Sequence, residues 1–426
     1  MPISKKSWRL CVIAIPIILL FNVFFSRSTG PINATHFPSS DLRDFLYTLD
    51  SQVHINTTEL FTLPPTTPLI TNLLHKAFPR TAYNVQVVPY FRSKSIRYDK
   101  DAVTLITWGT YDRLDRLIGL AASAHGPISV AFYLPRDDLI AANQLTELIT
   151  LYQTNPSLSS RVDIHLVTAD RPLLHNTWRN VARTFASTDW VLLWDIDFEP
   201  CTDYQSAFKQ FRQANARDAW VEELERGRAA LVIPPFEWVD APGKDFCPKS
   251  KQDLRHLYDT LSLDAFETDN PVLSHATDYA QFMNASRDEP YMVTEYEFLY
   301  EIYGIFRQDT EVWCDERFAG AGYNRAACTA SMYMSGMNLF VLPDQWAIHH
   351  PHTDRAFETR SSEDTTLSWK TFLTDICHSY ADSLALKGHL HLDTGSRVLT
   401  LCRNRQDPAL NADLARLVGI SKTIGA

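Results

Sequence analysis

The chain has 426 residues, of which 45% are hydrophobic and 12% aromatic, enough to bury a sizeable core in one large domain or two smaller ones. Its formal net charge of −10 is spread along the sequence without an acidic block, and no run of lysine and arginine is present. These features argue against a nucleic-acid surface or any other surface that binds polyanions.

The N-terminus predicts a membrane anchor. A basic flank precedes the apolar stretch LCVIAIPIILLFNVFF, and Trp8 is suited to the membrane interface. Residues 8–25 lie near the lower limit of the roughly 20 residues that a spanning helix needs. The positive-inside rule then leaves residues 1–7 as a cytoplasmic tail. The alternative is a cleaved signal peptide, although no convincing small-residue cleavage site follows Phe25.

Two further features fit a protein that enters the secretory pathway. Glycosylation sequons begin at Asn33, Asn56 and Asn284. Apart from Cys11, the chain has an even number of cysteines, which favours disulfides in an oxidising compartment without fixing their pairing: Cys201, Cys247, Cys314, Cys328, Cys377 and Cys402. No CxxC spacing occurs, so a zinc site is not expected.

The chain divides by composition into three regions beyond the anchor. Residues 26–98, with frequent Pro, Ser and Thr, are interpreted as a stem. Residues 99–405 form the predicted luminal domain, and residues 406–426 are interpreted as a C-terminal tail.

Short apolar runs alternate with helical stretches in the first half of this domain. Because such strands have no polar face, they predict an α/β fold with a mostly parallel central sheet covered by helices on both faces. The predicted strands span residues 102–107, 128–134, 162–167, 190–194 and 229–233. The predicted helices lie within residues 112–124, 137–153 and 203–226. From Pro234 the pattern becomes irregular and rich in aromatic residues, Pro, Gly and His, which is typical of a binding region.

The stretch WVLLWDIDFEP places Asp195 and Asp197 at the carboxyl end of a predicted strand. Ligands of open α/β sheets bind at that edge, and the alternation of a strand puts both carboxylates on one side. Two such carboxylates repel each other unless a cation lies between them, and Mn²⁺ or Mg²⁺ suits oxygen ligands. Such an ion stabilises a departing nucleotide diphosphate, so the DxD predicts a nucleotide-sugar glycosyltransferase.

This DxD has two other interpretations. Asp195 could cap the next helix while Asp197 is solvated, which is the common outcome for an isolated DxD. A haloacid-dehalogenase-like phosphatase also places DxD after a strand. Its motif normally continues with Thr or Val and opens the domain, whereas here Glu199 follows Phe198 and several strands precede.

Several ordered motifs between Asp112 and His352 resemble glycosyltransferase family 49, which includes the LARGE-type and β1,4-glucuronyltransferase-like enzymes. They are WRNVARTFASTDWVLLWDIDFEP, FCPKSKQDL, HATDY, YEIY, DERFAGAGYNR and VLPDQWAIHHPH. The resemblance implies a GT-A fold, a Golgi location as a single-pass type II protein, a divalent metal, a UDP-sugar donor and inversion at the anomeric carbon. In the animal members the donor is UDP-glucuronate, and the acceptor is a glycan or glycoprotein.

The resemblance also implies roles for individual residues. Asp195 and Asp197 match the DxD, His349 matches a metal-binding histidine, and Arg179 and Asn180 match the donor side.

An inverting transfer further needs a carboxylate near the acceptor hydroxyl. Glu301, Asp315 and Glu316 are the candidates for this base, because they fall within matched motifs. His275 and Asp278 are candidates for the acceptor pocket, with a loop-stabilising cluster as the alternative.

One departure from the family pattern keeps a second functional class open. The animal enzymes have Glu in the helix after GxGxNK, where this chain has Ser331. If that Glu matters for catalysis, the chain is a non-catalytic member that binds a glycan or a nucleotide. UDP release from a UDP-sugar separates the two hypotheses. The sequence predicts no oligomeric state.

Overall fold

The computed structural model describes residues 85–136, 138–171, 173–239, 246–267, 277–287, 289–351, 362–403 and 407–424. No helix in these ranges is both long and apolar enough to cross a membrane. The anchor predicted at 8–25 and the sequons at Asn33 and Asn56 lie outside the described residues.

Two sheets organise the described residues. The central sheet contains β1 (Val85–Arg92), β2 (Val103–Gly109), β3 (Ile128–Tyr133), β4 (Val162–Ala169), β5 (Trp190–Leu193), β7 (Ala229–Val232), β10 (Tyr291–Met292), β11 (Gly304–Arg307) and β12 (Asn338–Val341). The smaller sheet contains β6 (Phe198–Pro200), β8 (Pro235–Trp238), β9 (Leu263–Ala265) and β13 (Ala347–His349).

The central sheet has the order β1-β4-β3-β2-β5-β11-β7-β12-β10. Strands β4, β3, β2 and β5 are parallel neighbours. Strand β11 is antiparallel to both β5 and β7, and β12 is parallel to β7. Strands β2, β3, β4, β5, β7 and β12 therefore share one direction, which confirms the predicted mostly parallel α/β sheet of GT-A type. The inserted antiparallel β11 was not predicted.

Helices cover both faces of this sheet. They are α1 (Leu114–Ser123), α2 (Asp138–Thr154), α3 (Pro156–Arg161), α4 (His175–Thr184), α5 (Tyr204–Ala214), α6 (Ala219–Glu225), α7 (Lys251–Asp259), α8 (Tyr279–Asn284), α9 (Asn324–Met334), α10 (Ser362–Leu386), α11 (Asp393–Arg403) and α12 (Pro408–Ile424). One core lies between the sheet and α1, α2 and α5, and the other contains α4 and the inner residues of α7 and α8. Strand residues supply both cores alternately, as the period of two requires.

The first and last described segments belong to the domain rather than to a stem or a tail. Strand β1, which was expected in the stem over residues 26–98, pairs with β4 at the edge of the central sheet. Helix α12, which was expected in a tail, buries Leu410, Leu414 and Leu417 against α10 and α11. These apolar residues at helical spacing form a core with the outer face of α9.

The six cysteines from Cys201 to Cys402 form three disulfides, as their even number predicted. They are Cys201–Cys247, Cys314–Cys328 and Cys377–Cys402. The second bond ties the segment before α9 to the helix itself, close to the candidate site.

Candidate active site

The DxD aspartates lie at the end of β5, where the alternation of the strand continues beyond its last residue. Trp194, Ile196 and Phe198 enter the core on the α1 side. Asp195 points to the other side, where it meets Arg179 of α4. A turn fixes this geometry, because the Phe198 amide donates to the Asp195 carbonyl at 3.2 Å and the Trp194 indole donates to the Phe198 carbonyl at 2.9 Å.

Asp195 receives a buried arginine from α4. The Arg179 guanidinium, only 2% exposed, donates through Nη2 to Asp195 Oδ1 at 3.0 Å and through Nη1 to Asn176 Oδ1 at 3.0 Å. Nη1 also donates to the side-chain oxygen of Asn324. Burial lowers the pKa of Arg179 to about 10, and the charge of Glu301 opposes this shift. The sequence prediction that Arg179 belongs to this region is consistent with its contact to Asp195.

A second arginine, Arg325, reaches the other oxygen of Asp195. Its Nη2 pairs with Asp195 Oδ2, while Nη1 lies 3.6 Å from Glu301 Oε2. Nη1 also donates to the Tyr303 hydroxyl, and the guanidinium lies 4.2 Å from the centre of the Tyr303 ring. Arg325 thus connects the DxD with Glu301.

The backbone of the loop before α9 positions Arg325 next to Asp195. Gly320 and Gly322 have φ of 101° and 91°, and Tyr323 has φ of 60°. Glycine adopts such positive φ values without steric cost, whereas a tyrosine is strained there by roughly 1–2 kcal/mol. The Tyr323 ring stacks on Trp369 at 5.2 Å, which holds the strained residue in place. The loop therefore starts α9 with Asn324 and Arg325 directed inward.

Asp197 lies beside the smaller sheet. Arg113, in the turn after β2, places Nε 3.3 Å from Asp197 Oδ1. The Asp197 carbonyl accepts a hydrogen bond from the His350 amide at 2.8 Å. His349, at the end of β13, packs its ring against Phe198 at 4.8 Å. The end of β13 is thus adjacent to the DxD turn, as a shared role of Asp197 and His349 requires.

Two carboxylates and an imidazole are ligands that Mn²⁺ accepts, so the residue types fit the predicted metal. Their side chains do not yet converge: within the described ranges no group of three or more His, Cys, Asp and Glu is arranged to hold an ion. Asp195 faces two guanidiniums, and His349 Nδ1 lies 3.7 Å from Glu237 Oε2. Asp195, Asp197 and His349 would have to leave these partners to share a metal.

A small cavity lies next to this cluster, and both Glu301 and Arg325 line its wall. Aromatic and hydroxyl groups complete the lining, among them Phe266, Thr277 and Tyr300. Such a mixture of rings and hydroxyls is suited to the faces and hydroxyls of a sugar.

The pKa of Glu301 is raised above its ordinary value. Burial raises its pKa to about 7, and the negative charge of Glu267 adds to the shift. Arg179 and the Ala326 amide, which donates to Glu301 Oε1 at 3.3 Å, oppose it. The side chain is 20% exposed, so a substrate in the cavity can reach the carboxylate. Glu301 is therefore a carboxylate whose proton affinity suits proton transfer near neutral pH.

The other two candidates for the base do not line the cavity. Glu316, 6% exposed, accepts from Asn180 Nδ2 at 2.8 Å and from the Thr177 hydroxyl at 3.3 Å. Asp315 pairs with Arg317 at 3.0 Å. The Glu316 carboxylate and the Asp315 carbonyl, which accepts from Asn176 Nδ2 at 2.8 Å, hold the segment before α9 onto α4.

Asn180, expected on the donor side, is engaged in the same network. Its amide nitrogen donates to the Cys314 carbonyl at 2.8 Å, and its oxygen accepts from the Cys314 amide at 3.2 Å. Asn180 thus anchors the disulfide-bonded segment.

The acceptor candidates are placed differently. His275 lies outside the described residues. The Asp278 side chain caps α8 by accepting from the Gln281 amide at 2.8 Å, as the loop-stabilising alternative supposed. Its neighbour Thr277 lines the cavity and is hydrogen-bonded to the Tyr300 hydroxyl at 2.5 Å.

Ser331, the departure from the family pattern, is buried within α9. Its hydroxyl donates to the Ala327 carbonyl at 2.9 Å, one turn back in the same helix. Its own carbonyl accepts from the Tyr380 hydroxyl at 3.0 Å. Ser331 does not line the cavity.

Sequence reasoning missed Arg113 and Arg325 as site residues. Arg325 had one available signal, since it occupies the last position of the matched segment DERFAGAGYNR, where the family pattern has Lys. Arg113 follows β2 at the same edge of the sheet as the DxD, so the topology of a parallel sheet could have indicated it.

Comparison with known proteins gives a family. The family model described as "Glycosyl-transferase for dystroglycan" matches residues 102–173 and 170–381. The chain is 33% identical to the xylosyl- and glucuronyltransferase LARGE2 of Rattus norvegicus over 304 residues, 69% of this chain and 39% of the relative. It is 30% identical to LARGE1 of Homo sapiens over 259 residues, 60% of this chain and 32% of the relative. The chain therefore spans less than two fifths of the length of these relatives.

Among solved structures, GalNAc-T7 with UDP, GalNAc and Mn²⁺ covers 75% of this chain and 55% of its own, at 10% identity and a TM-score of 0.41. The family assignment depends on the sequence match, which includes the DxD, the Glu301 segment and the loop before α9. The chain belongs to glycosyltransferase family 49, the family of the LARGE-type glycosyltransferases.

Proposed function

We propose that this chain is a metal-dependent, inverting glycosyltransferase that transfers a sugar from a UDP-sugar to a glycan acceptor at the Golgi membrane. One observation carries the proposal: Glu301 lies in a cavity wall, and Arg325 connects it with Asp195 of the DxD. Asp195, which we expect to bind the donor, and Glu301, the candidate base, thus lie on either side of Arg325. The names of the relatives give two sugars, xylose and glucuronic acid, and we take glucuronic acid as the sugar for this chain.

On the donor side, Asp195, Asp197 and His349 would hold Mn²⁺ or Mg²⁺. The bound ion would neutralise the charge that grows on the departing diphosphate. Arg179 on α4 contacts Asp195 and Arg113 contacts Asp197, and these contacts would be exchanged for the ion when it binds. Because Arg179 is buried, its interaction with Asp195 is weakly screened by solvent.

On the acceptor side, Glu301 accepts the proton of the attacking hydroxyl. The acceptor oxygen forms a bond to the anomeric carbon as the bond from that carbon to the UDP oxygen breaks, and the hydroxyl proton passes to Glu301. A carboxylate with a pKa of about 7 is a stronger base than an exposed glutamate and is still ionised in half of the molecules at that pH. One displacement of this kind inverts the anomeric configuration.

A panel of UDP-sugars tests the proposal. The purified luminal domain is incubated with each donor and Mn²⁺, with and without glycan acceptors, and UDP release is measured. We expect release from at least one donor, dependent on Mn²⁺ and stimulated by an acceptor. The rival hypothesis, a non-catalytic binding protein, predicts that UDP binds with measurable affinity while no UDP-sugar is turned over.

The anchor over residues 8–25 remains a prediction with its own test. Expressed in eukaryotic cells, the full chain should stay with membranes after carbonate extraction and lose mass on enzymatic deglycosylation. Quantitative secretion with a new N-terminus near Gly30 would instead identify a cleaved signal peptide.

A further inference from the structure

Arg325 has hydrogen-bonding capacity that its partners within the described residues do not use. Its side chain is 9% exposed, and its Nε is buried without a hydrogen-bond partner there. The residue nevertheless lines the cavity. A buried guanidinium donor without a partner is costly unless a ligand or a water molecule completes its hydrogen bonds.

The charge around Arg325 is also incompletely balanced. Asp195 pairs with both Arg179 and Arg325, so one carboxylate serves two guanidiniums. Glu301, the other nearby carboxylate, is partly protonated at neutral pH because its pKa is about 7. An anionic ligand group beside Arg325 would offset this charge.

We propose that Arg325 binds the carboxylate of a uronic-acid sugar carried by the nucleotide donor, and so selects a charged sugar over a neutral one. This inference rests on the proposed function, because that function places the donor sugar between the diphosphate at Asp195 and the base Glu301. Arg325 lies between these same two residues. The unpartnered Nε donor and the positive charge of Arg325 favour a carboxylate oxygen over the hydroxyl of a neutral hydroxymethyl group at the same ring position.

The test compares UDP-glucuronate with UDP-glucose, which differ at this one substituent. The ratio of kcat/KM for the two donors is measured for the wild type, Arg325→Met and Arg325→Lys. We expect wild type to prefer UDP-glucuronate and the Met variant to lose about 10- to 100-fold of that preference, since buried polar discrimination is of this order or larger. The Lys variant, which keeps the charge, should retain part of the preference.

Arg113→Met is the matched control. Arg113 pairs with Asp197 in the same cluster but does not line the cavity. Its replacement should lower the turnover of both donors alike and leave their ratio unchanged. Melting temperatures of all variants show whether each is folded, and the donor ratio remains informative even if Arg325→Met is partly destabilised.

Calorimetric binding of the two donors and of UDP distinguishes failure of this inference from failure of the proposed function. Preferential binding of UDP-glucuronate that disappears in Arg325→Met would support the inference even if the wild type turned over no donor. An unchanged donor ratio in Arg325→Met, or an equal loss of affinity for UDP-glucuronate, UDP-glucose and UDP, would overturn it and assign Arg325 to the diphosphate or to the fold. A wild type that prefers UDP-glucose would also overturn it.

Discussion

Replacement of Glu301 by Gln is the perturbation for which the structure gives the clearest expectation. Gln keeps the shape of the side chain, and its oxygen can still accept from the Ala326 amide at the start of α9. Its amide cannot serve as a base that accepts a proton. General base catalysis contributes typically 10²- to 10⁴-fold, so we expect kcat/KM for transfer to fall by about that factor.

The pH dependence follows from the same group. With a pKa of about 7, Glu301 is about one tenth ionised at pH 6 and about nine tenths ionised at pH 8. The wild-type rate should therefore rise about tenfold over this range and level off above it. Glu301→Gln should lack this rise. UDP release measured with a saturating acceptor from pH 5.5 to 8.5 checks both statements.

As the pH rises, the stability of the folded wild type should fall while its activity increases. A glutamate whose pKa is raised on folding from 4.5 to about 7 destabilises the folded state as pH rises through this interval, by at most about 3 kcal/mol above pH 7. Gln removes this cost, while it also weakens the contact with Arg325. We expect the melting temperature of Glu301→Gln at pH 8 to equal or exceed that of the wild type.

Glu316→Gln provides the matched control, because Glu316 was an equal candidate from the sequence and is buried against Asn180 and Thr177. It should lower the melting temperature and leave the turnover of folded protein near the wild-type value. The reasoning is refuted if Glu301→Gln keeps its activity within a few-fold, or if Glu316→Gln remains fully stable and loses catalysis.

Three further changes test separate parts of the structure. Asp197→Asn should lower UDP release by about 10²- to 10³-fold, as expected for loss of an electrostatic stabiliser, and weaken Mn²⁺ binding in a titration; unchanged Mn²⁺ affinity would remove Asp197 from the metal site. Cys314→Ser together with Cys328→Ser should cost about 2–5 kcal/mol in denaturant unfolding, because the disulfide between them closes a loop; an unchanged midpoint would contradict this structural role. Leu414→Ala should cost about 2–5 kcal/mol, since Leu414 is fully buried, whereas a C-terminal tail would tolerate it without a change in melting temperature.

The predictable part of the fold was the part with continuous apolar strands. The predicted segments 102–107, 128–134, 162–167, 190–194 and 229–233 correspond to β2, β3, β4, β5 and β7. Strands of a parallel sheet are buried on both faces, so their sequences carry a strong signal that does not depend on distant partners. The break between α5 and α6, within the predicted helical segment 203–226, was missed.

The elements that were not predicted have weaker local signals. Strand β1 is only partly buried and contains Pro89, as an edge strand permits. Strand β11 has four residues, and its position depends on pairing with β5 and β7, which are distant in sequence. Helix α12 carries apolar residues at helical spacing, but its burial depends on α10 and α11.

The sequence predicted where the candidate site lies in the fold better than it predicted which side chains contact each other there. The position of Asp195 and Asp197 followed from one strand and its alternation. The choice among Glu301, Asp315 and Glu316 did not, because it depends on which carboxylate lines the cavity and which are engaged by Asn180 and Arg317. The role of Arg325 depends on the left-handed backbone of the preceding loop, which a residue pattern alone does not specify.

The most direct measurement of the central claim is the anomeric configuration of the first product, followed by proton NMR during transfer from an accepted UDP-α-sugar. An inverting displacement assisted by Glu301 predicts a β-linked product as the first species, formed by the wild type and almost absent with Glu301→Gln. An α-linked first product, or β-linked product formed at the wild-type rate by Glu301→Gln, would contradict the account.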